Sequence, residues 1–217
     1  MQQIGILFDL DGTVLNTDLL IKKSFIHVFE KYKPGYQLSE EELLAFLGPS
    51  LHESFARYFD QSLIEELIDY YREFNHAKHE DYVTMYPYVK ETLGILKQQG
   101  YPLAVVTTKF KIAALIGLDL FDLTKYFDVI VGLDDVECTK PDPEGILVAM
   151  EKLHVSKAIM IGDNVTDIMA GKNAGVDTIA VKWSPKGYQD MADLKPNALI
   201  DEISEVITYV ERMKKDV

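Results

Sequence analysis

A chain of 217 residues is long enough to bury a large core, or to hold one full domain with a smaller one inserted. With 47% hydrophobic and 26% charged residues it is neither disordered nor collagen-like, and a net charge of -13 argues against general affinity for nucleic acid or an anionic membrane. An anionic substrate would have to be drawn in by local cations.

The single cysteine, Cys138, has no partner for an intrachain disulfide or a thiolate metal site, which suits a reducing compartment, and it reads as a loop thiol. The N-terminus lacks the basic and long apolar regions of a signal peptide, and no apolar run approaches the ~18 residues of a membrane span. The expectation is a cytoplasmic protein, a monomer or weak homodimer, with a small-molecule substrate and no nucleic acid or membrane partner.

In chain order, Ile4-Gly-Ile-Leu-Phe8 is an apolar run that ends in Asp9-Leu-Asp11-Gly12-Thr13, which predicts a buried strand with a charged tip. Asp-Gly is also a common turn pair, so this stretch alone could be a strand end and a turn. Two carboxylates beside buried apolar residues repel each other unless a cation lies between them, which makes a metal the economical reading.

About seventy residues of helical pattern follow. Leu19, Leu20, Phe25, Val28 and Phe29 recur at helical spacing until Pro34-Gly35. Ser39 with Glu42 reads as a capping box opening a short helix through Leu43, Leu44 and Phe46 to Gly48-Pro49. A further helix runs from Ser50 towards Phe59, and a longer one from Ser62 into the His76 to Glu80 region.

From Met85 the pattern alternates. Pro87 opens a helix through Val89, Leu93 and Leu96 to Gly100, and Leu103 to Val106 is a strand ending in Thr107-Thr108-Lys109. A helix around Ile112 to Ile116, a strand at Asp128 to Val131, a helix from Asp142 to Leu153 and a strand at Ala158 to Ile161 come next. Gly162-Asp163 closes that strand, a helix covers Asn164 to Ala174, and Thr178 to Val181 is another strand. This alternation predicts an α/β domain with a Rossmann-like parallel sheet, residues 1–15 and 84–217, interrupted by an all-α insert, residues 16–83. Two crossings close together would make a hinge.

Reactive groups in an open parallel sheet belong at the carboxyl ends of the strands. Those ends offer Asp9 and Asp11, Thr107 and Thr108, and Asp163 with Asp167, while Lys140 lies in a loop of Thr139-Lys-Pro-Asp-Pro143. Oxygen-only carboxylate clusters suit Mg²⁺, a carboxylate can act as nucleophile on phosphorus, and a second carboxylate two residues on can move the proton. A hydroxyl, helix N-terminal amides and a lysine suit phosphoryl oxygens. Taken singly, Lys140 and Thr107 read as an ordinary loop lysine and strand-end hydroxyl, Asp163 as a helix cap, and Asp167 as a first-turn acid.

The set Asp9-Leu-Asp11-Gly12-Thr13-Val14, the apolar run into Thr107, Lys140 before Pro-Asp-Pro, and Gly162-Asp163 with Asp167 resembles the four motifs of the haloacid dehalogenase superfamily of phosphohydrolases, over essentially the whole chain. The resemblance implies a helical cap inserted after the first motif, Asp9 as nucleophile and Asp11 as general acid and base. It further implies Mg²⁺ held by Asp9, the Asp11 carbonyl and Asp163, with Asp167 behind them or through water. Gly12, Thr107, Thr108 and Lys140 would bind the phosphoryl group, with Thr107 preferred over Thr108. Asn164 stands where serine is common, and an acid at position 11 argues against the dehalogenase and phosphonatase branches.

The cap segments Leu43 to Phe55 and Tyr71 to His79, with Leu133 to Val136, are similar to the bacterial inorganic pyrophosphatase branch, which is close to phosphoglycolate phosphatase. That implies pyrophosphate as substrate, with phosphoglycolate or another small phosphate monoester as the alternative. A β-phosphoglucomutase-like activity fits less well, because the Gly48 segment lacks an arginine-rich pattern. Ser50, Arg72, Asn75 and His79 are the cap residues expected near the leaving group, although Arg72 and His79 also suit the wet face of a helix. A receiver-type phosphoaspartate signalling module shares the carboxylates, threonine, lysine and Mg²⁺. The large helical insert and the Asp9/Asp11 pair disfavour it, since a signalling domain gains nothing from a base poised to hydrolyse its phosphoaspartate.

Overall fold

The computed structural model describes residues 3–215. It divides into two compact units, Met1–Leu15 with Met85–Val217 and, inserted between them in the chain, Asn16–Thr84. No helix among the described residues is long and apolar enough to cross a membrane.

The chain starts with β1 (Ile4–Phe8), every residue of which is buried. The crossings between the units fall in two-residue strands, β2 (Leu15–Asn16) and β3 (Thr84–Met85). Between them lie α1 (Asp18–Tyr32), α2 (Glu40–Ala45), α3 (Leu51–Ala56), α4 (Ile64–Ala77) and the single turn α5 (His79–Tyr82). After β3 come α6 (Val89–Gln98), β4 (Leu103–Val106), α7 (Lys111–Leu120), β5 (Val129–Val131), α8 (Glu144–Lys152), β6 (Lys157–Gly162) and α9 (Val165–Asn173). The chain ends with β7 (Asp177–Val181), α10 (Gln189–Asp193), β8 (Ala198–Ile200) and α11 (Glu205–Lys215).

In the helical unit, α1 places Leu20, Phe25, Val28 and Phe29 in the core, while Leu19 stays half exposed because it falls off that stripe. Phe25 stacks on Phe46 with ring centroids 3.8 Å apart and meets Phe55 and Tyr71 at 5.1 and 4.9 Å. Ile64, Leu67 and Ile68 of α4 close the same cluster. Short helices need good starts, and α2 and α3 have them: Ser39 with Glu42, and Ser50 with Glu53, form reciprocal capping boxes. The long helix expected through His76 to Glu80 breaks at Lys78, whose φ of -111° and ψ of 9° leave the helical region.

The other unit holds a six-stranded parallel sheet in the order β5-β4-β1-β6-β7-β8. One face is packed by Leu7, Ala104, Val106, Val131 and Met160 against Ile146 and Ala149 of α8 and Ala170 of α9. Each large side chain so buried stabilises the fold by ~1.5–3 kcal/mol. Helix α9 sits close on the sheet because Gly171 has no Cβ, which would lie 2.4 Å from Thr178. β1 is central, so its carboxyl end is flanked by the ends of β4 and β6. Register fixes the levels: Phe8 pairs with Val105 on one side and Ile161 on the other, so Asp9 is level with Val106 and Gly162, one residue short of Thr107 and Asp163.

Candidate active site

The strand ends are tied together by main-chain bonds. The Asp9 amide donates to the Ile161 carbonyl at 2.8 Å, and the Thr107 amide to the Val131 carbonyl at 3.0 Å. These bonds carry the parallel ladders one residue past the strands and hold Asp9 and Thr107 on rigid backbone. Gly12 follows in a left-handed conformation with φ of 84°, and a Cβ there would lie 2.3 Å from an Asp163 carboxylate oxygen. Only glycine meets both demands, so the turn that ends the first motif is built around the acid of the last.

Three carboxylates meet at this edge. Asp9, Asp163 and Asp167 each offer an oxygen within 4.8 Å of the others, and all three residues are buried, Asp167 to 1% exposure. Asp167 is fixed by the Asn164 amide, which donates to its Oδ2 at 3.0 Å, and by close approach of the Gly162 backbone, where a Cβ would stand 2.3 Å away. Asp163 accepts from the Thr13 hydroxyl at 3.4 Å and the Ser184 hydroxyl at 3.3 Å. Buried like charges so close call for a countercharge, and an all-oxygen donor set fits a hard divalent cation.

Lys140 supplies one positive charge from the protein. Its Nζ lies 2.6 Å from Asp9 Oδ1, 2.5 Å from Asp167 Oδ1 and 3.1 Å from the Val106 carbonyl oxygen. Burial works against that ammonium, but the carboxylates of Asp167 and Asp9 outweigh it and hold its pKa above the usual lysine value. Burial likewise pushes the Asp9 carboxyl up to about 7, opposed by Lys140 and reinforced by the Asp167 charge.

Asp11 stands apart from the three-acid cluster, half-buried, with its two oxygens 2.9 and 3.2 Å from Lys109 Nζ. One strand end therefore presents two carboxylates in different environments, Asp9 among acids and Lys140, Asp11 with its own lysine. Thr107 is buried and its hydroxyl accepts from the Lys109 amide at 3.2 Å. Thr107, Thr108 and Lys140 line one pocket with Cys138 and Thr139, and the Cys138 thiol is free and exposed.

Asp9, Asp11, Gly12, Thr107, Thr108, Lys140, Asp163 and Asp167, the residues expected from the sequence, lie together at one sheet edge. Lys109, Thr13 and Ser184 were not among those expected as site residues. The signal for Lys109 and Ser184 was the same strand-end rule, since they follow β4 and β7 by three residues. The four candidates of the helical unit have local partners there. Ser50 caps α3, and Arg72 lies 3.7 Å from Asp69. Asn75 is buried and donates to Ser24 and Tyr71, at 3.1 and 3.4 Å, and the His79 ring Nδ1 lies 2.9 Å from the Asn75 carbonyl oxygen.

The sequence matches the family of haloacid dehalogenase-like hydrolases over residues 6–181. It is 44% identical over 212 residues to pyrophosphatase PpaX of Bacillus cereus, covering 97% of each chain, and 43% identical over the same length to pyrophosphatase PpaX of Bacillus anthracis. Among solved structures, a predicted phosphatase from Clostridium acetobutylicum superposes with a TM-score of 0.86 at 30% identity, over 98% of this chain and 100% of that one. A haloacid dehalogenase-like family hydrolase from Streptococcus pneumoniae gives a TM-score of 0.85 at 26% identity, over 96% and 98%. With a family match across most of its length, near full-length relatives and the strand-end acids in place, this chain belongs to the haloacid dehalogenase-like hydrolases, built as a parallel-sheet α/β domain with an inserted helical cap.

Proposed function

We propose that this hydrolase is an Mg²⁺-dependent inorganic pyrophosphatase that works through an aspartyl phosphate on Asp9. The observation that carries the chemistry is the Asp9 carboxylate at the end of β1, with Lys140 at 2.6 Å and the acids Asp163 and Asp167 beside it. The substrate is supported by the near full-length likeness to proteins named pyrophosphatase.

Asp9, Asp163 and the Asp11 carbonyl, with Asp167 alongside, would hold Mg²⁺, which when bound offsets negative charge on the phosphoryl oxygens. Asp9 forms a bond from a carboxylate oxygen to one phosphorus as the bridging P–O bond breaks. The bridging electron pair leaves with the second phosphate, which takes up the proton carried by Asp11. Asp11, then ionised, accepts a proton from water whose oxygen attacks the phosphoaspartate phosphorus, and the Asp9–phosphorus bond breaks to restore the carboxylate. Thr107 would hold the transferred group, and Lys140, bonded to Asp9, Asp167 and the Val106 carbonyl, sets positive charge beside the nucleophile and that group.

A substrate panel tests this reading. With Mg²⁺, kcat/KM for pyrophosphate should exceed that for phosphoglycolate and other small monoesters, and chelation should abolish both. A phosphoglycolate value well above the pyrophosphate one would replace the substrate while keeping the chemistry.

A further inference from the structure

Pyrophosphate brings two phosphoryl groups, and Lys140 is committed to one side of the reaction. An ammonium has three donors, and those of Lys140 are directed at Asp9, Asp167 and the Val106 carbonyl. In a chain of net charge -13 the departing phosphate needs a second cation.

Lys109 is placed to supply it. Its main chain is pinned on both sides: the amide donates to the Thr107 hydroxyl at 3.2 Å, and the carbonyl accepts from the Leu133 amide at 2.9 Å. Its side chain is 13% exposed and its head group rests on both oxygens of Asp11. One residue thus joins the hydroxyl assigned to the transferred phosphoryl group and the carboxylate assigned to the leaving oxygen. With two donors turned to Asp11, one remains for an anion arriving beside it.

We propose that Lys109 is a specificity-determining residue, the cation that meets the leaving phosphate of a phosphoric anhydride as it departs past Asp11. This rests on the pyrophosphatase reading above. The bond chemistry is the step already written, in which the bridging electron pair goes to the second phosphate. An ammonium beside that oxygen stabilises a leaving group that carries its own charge, and does far less for one that departs as a neutral alcohol or phenol.

The test measures kcat/KM with Mg²⁺ for pyrophosphate and phenyl phosphate in the wild type, Lys109→Met and Lys109→Arg. Lys109→Met should lower the pyrophosphate value at least about tenfold more than the phenyl phosphate value, and Lys109→Arg, which keeps the charge, should recover most of that ratio. Equal losses on both substrates, or no loss on either, overturn the proposal, because a lysine that only orients Asp11 or supports the loop cannot distinguish the leaving groups. A folded Lys109→Arg that loses the ratio as fully as Lys109→Met overturns it too. A wild type active on phenyl phosphate and inert to pyrophosphate defeats the parent reading before any variant is compared, and this proposal with it.

Discussion

The helical unit and the sheet edge bury polar groups for opposite ends. In the helical unit the Asn75 side chain is neutral and bonds Ser24 and Tyr71 beside a cluster of packed aromatic rings. At the sheet edge three buried acids and a lysine, from the end of β1, the loop after β5 and the junction of β6 with α9, are pressed together. The first arrangement satisfies polar groups that packing has buried. The second keeps like charges in a place where they cost stability, which a fold tolerates where chemistry requires it. Substitutions should therefore fall into two classes, those that remove activity and spare the fold, and those that do the reverse.

The largest expected effect is at Asp9. Asp9→Asn should lower kcat by about 10⁴-fold or more, because the nucleophile is gone. Its melting temperature should not fall, since the change removes one buried charge from a repelling set. Loss of folding in that variant would break the comparison. Phe25→Ala should do the reverse in the helical unit, with ~3–5 kcal/mol lost in denaturant unfolding as the stack on Phe46 is removed. A cost below ~1 kcal/mol would mean that the aromatic cluster is not its core.

The smallest effect sharpens the comparison from the surface. Glu42 is held down at about 2, first by the Tyr36 hydroxyl at 2.5 Å, then by the Ser39 amide at 2.8 Å. A depressed folded-state pKa contributes stability that is full above the ordinary glutamate value of 4.5 and is lost as pH falls through about 2. Tyr36→Phe should flatten the acid limb of the stability curve over that window and leave the neutral-pH limb nearly unchanged, read by thermal melts from pH 2 to pH 6.

Much of the sheet edge was legible because three of the four motifs end a run of apolar residues, and a parallel sheet sends all such ends to one side. β1, β4 and β6 are buried along their apolar lengths, so their composition alone marks them. β8 escaped notice because it is a three-residue edge strand with only Ile200 fully buried. α11 has its buried Val206 and Val210 four residues apart among charged neighbours, a weaker pattern than the strands give. Lys109 carries the strand-end signal, but a lysine after two threonines reads equally as a wet loop. Only the register of β4 beside β1 sets it against Asp11. Ser50 and Asn75 show the converse: polar residues picked for a ligand already serve a helix cap and a buried hydrogen-bond network.

The central claim is that Asp9, and not a water molecule, attacks the phosphorus. Acid quenching of the enzyme during turnover of radiolabelled pyrophosphate with Mg²⁺, followed by peptide mapping, tests it most directly. The label should appear on Asp9, should appear there too in whatever turnover Asp11→Asn retains, where both proton transfers are slowed, and should be absent from Asp9→Asn. Product formation without protein-bound label in either the wild type or Asp11→Asn, or label on any other residue, would contradict the account.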